Sequence, residues 1–413
     1  MTDPLTPPRR KDPLGRTRRP TLPPAGRSRE AHGLIRPAAE GRFMLPRCEA
    51  CGAFHYPPRE ACPACLSFDV KLADAPSGGV LASETTVRVP SEVYFRERAP
   101  WRIGIVTLDC GPAVIAHLHG DCTLGERVTL SLQLDRSGQA VAFAHPATRT
   151  PNMADDRQWR ELTADPKFRR VLVTDVRGPV GLALVKALKA AGAGTVFAGV
   201  SERWKPFPAE AELNALEGVS LVPLDVRDDQ SVRDLAADIG AKVDILVNTA
   251  AHIRPGGVLE CNGLGVAREE LETNYFGLAR LAQAFGPVMR ARGADGVTGA
   301  AAWVNILSVH ALANLPAWGA FSASQAAGLS LAQSLRAAFR PGGLKVVNAF
   351  TGPLDTEWFQ TEPQPKVSPA ALARSITDAL QRGLEDVFVG DVAQDIHARF
   401  LADPKALERE LAG

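Results

Sequence analysis

The period of the apolar positions changes near the middle of the chain. From residue 78 to residue 146 short runs alternate apolar with polar residues: "GGVLASETTVRV", "WRIGIVTLDC", "AVIAHLHG", "ERVTLSLQL" and "QAVAFAHP". Gly, Pro or Asp separate them. A period of two broken at such residues predicts about five short antiparallel strands that close into a small barrel. Beyond residue 168 the pattern differs. "RRVLVTDVRGPVGLALVKALKAAG" reads as a continuous apolar strand (Val171 to Val173), a tight turn and an amphipathic helix. Further strand and helix patterns follow in alternation, "GTVFAGVS", "VDILVNTAA", "AAWVNILSVHA" and "GLKVVNAFTGPLDTEW" supplying strands. Unbroken apolar strands between helices belong to a parallel sheet covered on both faces.

The fold class expected is therefore multidomain: a small antiparallel OB-type β-barrel, then an α/β Rossmann domain with a doubly wound parallel sheet. Between them, "HPATRTPNMADDRQWRELTADPKF" is polar and Pro-bearing, and it reads as a boundary. The expected division is a basic Pro-rich disordered arm (1–32), an N-terminal helix with a four-Cys zinc ribbon (33–72), the barrel (73–146), a linker (147–168) and the Rossmann domain (169–413).

Charge changes the picture only at the N-terminus. Net charge is +1 over 413 residues, yet residues 1–36 hold nine Arg or Lys against Asp3, Asp12 and Glu30. With no apolar periodicity, that stretch reads as a mobile arm. A basic arm can bind phosphate groups, on RNA or CoA, but the favoured reading is a solvated tail with no partner. No apolar run approaches the roughly 18–20 residues of a membrane span, and no apolar signal segment opens the chain, so a cytoplasmic location is expected.

Cysteine carries the first chemistry. "RCEACGAFHYPPREACPACLSF" holds Cys48-x2-Cys51, ten residues, then Cys62-x2-Cys65. Each CxxC turn presents two thiolates to one side of a metal, and two turns complete a closed tetrahedral shell. A closed four-sulfur site keeps no open position, so this zinc is expected to be structural. Cys110, Cys122 and Cys261 have no partner motif and read as incidental thiols.

The ribbon at Cys48 to Cys65, with "HYPPR" between its pairs and a barrel starting near Gly79, resembles the acyl-CoA-associated zinc-ribbon/OB-fold family over about residues 30 to 146. The resemblance implies a partner subunit of a thiolase or related acyl-CoA enzyme. Nucleic-acid binding by ribbon, barrel and arm is an alternative, weakened by the few barrel aromatics: Tyr94, Phe95, Trp101 and Phe143.

The second half is similar to the short-chain dehydrogenase/reductase family over about residues 168 to 413. "LDVRDD" puts Asp225 where that family contacts adenine, "NTAA" supplies Asn248, "TNYFG" Asn274, "NILSV" Ser308, and "TGPLDT" Gly352 and Thr356. The family's phosphate turn opens Thr-Gly; here it reads Thr174-Asp175-Val176-Arg177-Gly178-Pro179-Val180-Gly181. Gly178 and Gly181 survive, but Asp175 sets a carboxylate beside the place of two phosphates. Like charges at ~4 Å repel by about 1 kcal/mol in water and by several in a desolvated pocket. NAD(P) binding, through Thr174, Gly178, Gly181, Asp225 and Asn248, is expected to be weak or lost. Arg203 leans faintly toward NADP.

In the family mechanism a tyrosine protonates the carbonyl oxygen and a lysine one helical turn on lowers its pKa. "FSASQ" holds Phe321 and Gln325 at those positions, leaving Ser308 and Asn274 as vestiges and His310 as a candidate substitute acid. The fused halves resemble the thiolase small subunit and the non-catalytic dehydrogenase subunit of the benzylsuccinate pathway. The expected function is a non-catalytic partner linking a thiolase-type acyl-CoA enzyme and an intact short-chain dehydrogenase, a paralogue or a second copy of this chain, on CoA thioesters. The alternative is an atypical NAD(P)-dependent oxidoreductase acting on a 3-hydroxyacyl-CoA.

Overall fold

A computed structural model describes residues 1–8, 19–260, 263–294, 296 and 299–412. The described residues divide into two units, one of 1–7, 21–165 and 381–385, the other of 8, 19–20, 166–380 and 386–412.

In the first unit a short helix α1 (Ile35–Glu40) leads into a two-stranded antiparallel ribbon, β1 (Met44–Cys48) and β2 (Val70–Asp74). Five strands then close a barrel: β3 (Gly78–Val87), β4 (Trp101–Leu108), β5 (Ala113–Leu118), β6 (Arg127–Leu134) and β7 (Ala140–Pro146), ordered β3-β4-β5-β7-β6. The alternation in sequence is the alternation in burial. Val106, Leu108, Val114, Ala116, Leu118, Val128 and Leu130 point inward, while Ile105 and Ile115 face each other on the outside. A one-turn helix α2 (Val93–Arg96) sits between β3 and β4.

Two expectations change here. The stretch 147–168, read as a linker, contains α3 (Arg157–Leu162), which belongs to the barrel. Trp159 packs on Phe143 and His145 at 5.1 and 4.5 Å between ring centroids. Glu161 meets Arg98 at 2.9 Å, Arg136 at 3.1 Å and the Tyr94 hydroxyl at 3.3 Å. Burial alone would raise the Glu161 pKa, but the two guanidiniums outweigh it and hold the carboxyl down. The arm read as disordered is in part laid on the barrel. The Leu5 amide donates to Asp155 and the Thr2 hydroxyl to Asp121, Thr21 donates to Glu97, and Ser137 donates to the Pro23 carbonyl at 2.5 Å. Polar composition hid these anchors because they are single hydrogen bonds without periodicity. Residues 9–18, which hold much of the expected basic charge, lie outside the described residues.

The second unit is a seven-stranded parallel sheet ordered β10-β9-β8-β11-β12-β13-β14. Its strands are β8 (Arg170–Val173), β9 (Thr195–Val200), β10 (Val219–Pro223), β11 (Ile245–Asn248), β12 (Ala302–Ser308), β13 (Lys345–Thr351) and β14 (Asp386–Val389). Helices α4 (Pro179–Ala190), α5 (Glu210–Ala215), α6 (Asp229–Ile239), α7 (Gly265–Leu271), α8 (Leu278–Arg292), α9 (Gly319–Phe339) and α10 (Pro369–Arg382) lie between them, and α11 (Asp391–Ala402) and α12 (Pro404–Leu411) follow the last strand. A π turn, Glu272–Gly277, joins α7 to α8. β11 and β13 are buried along their whole length, as helices on both faces require. The strand order reverses between β8 and β11, which is where an open sheet of this kind forms its binding crevice. No described helix is long and apolar enough to cross a membrane.

Candidate functional sites

The four ribbon cysteines converge. Cys48 ends β1, and two matching knuckles carry the pairs: the Gly52 amide donates to the Cys48 carbonyl at 2.8 Å, and the Leu66 amide to the Cys62 carbonyl at 2.9 Å. Gly52 and Leu66 both take positive φ, 76° and 64°, which turns each loop back so that its second sulfur faces the first. Cys48 and Cys65 sulfurs lie 3.6 Å apart, Cys51 and Cys62 3.7 Å, and all four within 4.8 Å of one another. Tetrahedral zinc with bonds of ~2.3 Å sets its sulfurs about 3.8 Å apart, so the donor set fits one zinc ion. All four positions being filled by sulfur, that ion is structural. Cys48 and Cys62 are buried, Cys51 and Cys65 exposed.

In the second unit a cleft opens above the C-terminal ends of β8, β9, β10 and β11, lined by Thr174, Asp175, Ser201, Asp225, Arg227 and His252 among others. Its floor is a tight polar knot. The Thr174 hydroxyl donates to Asn248 Oδ1 at 2.9 Å and accepts from the Thr249 amide at 3.0 Å. The Thr249 hydroxyl accepts the Asp175 amide at 2.8 Å and donates to the Asp175 carbonyl at 2.7 Å. Gly181 lies where a Cβ would collide with the Asp175 carbonyl oxygen and Val176 Cα, so helix and turn are pressed together. Gly178 is the N-cap of α4 and supplies no side-chain cap; Pro179 follows inside the first turn. Asp225 is claimed by Arg227 at 3.2 Å. Burial opposes its ionisation, yet the Arg227 hydrogen bonds prevail and hold its pKa below the usual carboxylate value.

The dinucleotide that such a fold implies does not fit this turn. Asp175 projects its carboxylate there, and Oδ1 takes the Arg177 amide at 2.9 Å. Burial is the largest influence on Asp175 and raises its pKa. Arg177 does not pair with that carboxylate: its guanidinium donates to the Ser201, Glu202 and Lys205 carbonyls at 3.1, 3.3 and 3.0 Å and lies over Phe207.

The residues in catalytic register come together, with their polar groups turned inward. Ser308 ends β12, its hydroxyl accepting the His310 amide at 3.2 Å. Gln325 Oε1 accepts the Ser308 amide at 2.9 Å, so the carboxamide in the lysine position braces the serine loop. Asn274, in the π turn, spends its amide on His252 and on Ser324 Oγ at 2.8 Å. Phe321 is 4% exposed and sits in an aromatic cluster with Trp318 and Phe359, at 6.0 and 6.4 Å between ring centroids. His310 is buried and bonds the Ala313 carbonyl through Nδ1 at 3.1 Å. Desolvation is the chief influence on it and lowers its pKa. Gly352 packs on Val392 and Thr356 opens the one-turn helix Glu357–Phe359. Arg203 is exposed, and Cys261 lies outside the described residues.

Sequence reasoning missed the groups that close this region. Trp318 Nε1 donates to Glu362 at 2.7 Å, and the Arg254 guanidinium lies 4.1 Å from the Trp358 ring centroid. The Trp318-x-x-Phe321 spacing was the one signal available, since residues three apart share a helix face.

Comparison with known proteins follows the same division. Residues 169–366 match the short chain dehydrogenase family, residues 36–71 the ChsH2 rubredoxin-like zinc ribbon domain and residues 73–133 the ChsH2 C-terminal OB-fold domain. The short-chain dehydrogenase ptmH of Penicillium ochrochloron is 35% identical over 202 residues, 47% of this chain and 68% of that protein. The 1-deoxy-11-beta-hydroxypentalenate dehydrogenase of Streptomyces exfoliatus is 32% identical over 197 residues, 46% of this chain and 70% of that protein. A solved short chain dehydrogenase from Burkholderia cenocepacia, in complex with NADP, is 31% identical with a TM-score of 0.54, over 59% of this chain and 98% of that one. The chain belongs to the short-chain dehydrogenase family. Its dehydrogenase domain is fused to a ChsH2-type zinc ribbon and OB-fold.

Proposed function

We propose that the protein is a non-catalytic partner subunit, whose dehydrogenase-like domain pairs with an intact short-chain dehydrogenase and whose ribbon and barrel dock on a thiolase-type acyl-CoA enzyme. The observation that carries this reading is the pair Phe321 and Gln325. One is sealed among aromatic rings without a proton to give, the other is spent on the Ser308 amide. General acid catalysis needs a donor within hydrogen-bond reach of the substrate oxygen, and neither position supplies one. Docking by the first unit is supported by apolar side chains facing solvent: Leu66 and Phe68 at the second knuckle, 75% and 79% exposed, and Ile115 on the barrel wall, 63% exposed. The nucleic-acid alternative loses its stacking platform, because Tyr94, Trp101 and Phe143 are buried at 3%, 3% and 0% exposure.

The relatives' names favour a second reading, an oxidoreductase of unusual mechanism. One experiment addresses both. The tagged full chain is purified from its host under native conditions, the complex is analysed by mass spectrometry, and NAD(P)H-dependent turnover of 3-oxoacyl-CoA thioesters is assayed with the chain alone. Stoichiometric thiolase and dehydrogenase subunits, with no turnover by the isolated chain, support the partner reading. A lone homo-oligomer that turns over, and loses turnover on Ser308→Ala, overturns it.

A further inference from the structure

We propose that Asp175 by itself closes the cleft to dinucleotides, acting as an anion supplied from within the chain, and that Asp175→Gly reopens it. This rests on the cofactor mismatch of the partner reading and deepens it.

Everything around Asp175 is still built for a bound phosphate. α4 begins at Gly178 with no side chain capping its first turn, so amides there lack a partner within the helix. The close approach of Gly181 to the turn is intact, as is the Thr174, Asn248 and Thr249 knot beneath it. A cleft is open beside the turn, above the crossover of the sheet. The one element that contradicts an anion site is the Asp175 carboxylate. It bonds the Arg177 amide, which an incoming phosphate would otherwise meet, and it brings a negative charge to the same place.

The arginine in the turn favours the ionised carboxylate only from a distance, without a direct ion pair to it. Three backbone carbonyls, of Ser201, Glu202 and Lys205, hold the guanidinium, and Phe207 stacks against it. The second carboxylate of the cleft, Asp225, is already paired with Arg227. The mismatch is thus local to one side chain, whereas the loss at Phe321 and Gln325 lies beyond β12 and concerns chemistry. Gain of binding without gain of turnover is the signature to seek.

The test uses the full zinc-loaded chain. Binding of NADPH and NADH is titrated by ligand fluorescence and by calorimetry for the wild type, Asp175→Gly and Asp175→Asn, with zinc content and thermal unfolding checked for each. Asp175→Gly is expected to bind at least about tenfold tighter than the wild type, the scale of one like-charge contact removed at short range. Asp175→Asn, which keeps the bulk and the bond to the Arg177 amide but drops the charge, is expected to gain less; should the glycine variant fail to fold, any gain by Asp175→Asn carries the proposal. Wild-type binding as tight as that of Asp175→Gly overturns it, as does a folded Asp175→Gly that binds neither cofactor. Failure here with the thiolase and dehydrogenase still co-purifying would sink only this inference. NAD(P)H-dependent turnover by the wild-type chain would sink both this inference and the partner reading, since it needs the dinucleotide in the cleft.

Discussion

The zinc ribbon and the dehydrogenase-like site are both constellations of a few polar side chains, and they have fared differently. In the ribbon every donor is retained, and the knuckles that aim them are short loops whose sulfurs already stand 3.6 and 3.7 Å apart. In the second unit the frame is retained and its polar groups serve it: Asn274 braces His252, while Gln325 braces Ser308 and Phe321 fills an aromatic cluster at the two positions where the family's motif carries lysine and tyrosine. The difference follows from what each site contributes to folding. A segment as small as the ribbon has little core, so losing one thiolate would cost it the fold. A seven-stranded sheet with a continuous core from Leu172 through Trp303 to Phe339 does not depend on a handful of polar site residues for its fold.

The largest expected effect lies in the ribbon. Stripping zinc, or Cys48→Ser, should unfold residues 44–74, since structural zinc in small domains contributes about 10–16 kcal/mol. Hydrogen exchange would show those amides losing protection while the amides of β11 and β13 keep theirs. A ribbon that stays protected with no metal, by elemental analysis, would break the comparison.

Next comes acid. Burial, the largest influence on both rings, pushes His117 and His145 of the barrel down to about 4. Below an unfolded-state pKa of ~6.5 the unfolded chain takes up protons that the folded barrel refuses. Their contribution is therefore complete above pH ~6.5 and is lost as pH falls toward 4, on the order of 2 kcal/mol for each ring. Denaturant titrations of the barrel between pH 7 and 4.5 should show this, and His117→Phe should flatten the dependence. A barrel equally stable at both ends would contradict it.

Phe321→Tyr sharpens the comparison from the other side. It returns the family's phenol to its register, but into the buried cluster of Trp318 and Phe359. The expected result is a loss of about 1–3 kcal/mol with no reductase activity. Activity restored by this one substitution would mean that the frame had kept the chemistry within reach. The smallest effect should come from Trp318→Phe, which removes the bond to Glu362 and should lower stability by about 1 kcal/mol, read as a small shift in thermal midpoint.

Some of this was legible before any coordinates. The CxxC spacing placed the metal site, the alternation from residue 78 onward placed the barrel, and unbroken apolar strands between helices placed the parallel sheet. Phe321 and Gln325 were legible as substitutions because residue type alone decides whether a proton can be given. These are local facts: period, spacing and chemical identity act within a few residues of one another. Only the tertiary structure decided what the replacements do. Gln325 turning to the amide of Ser308, Trp318 reaching Glu362, and Glu161 drawing α3 onto the barrel through Arg98 and Arg136 join residues 17 to 63 positions apart. The orientation of Arg177, away from Asp175 and toward three carbonyls after β9, depends likewise on where a loop from another strand passes. Contacts of that kind belong to the closure of the whole sheet and barrel, which no periodicity along the chain records.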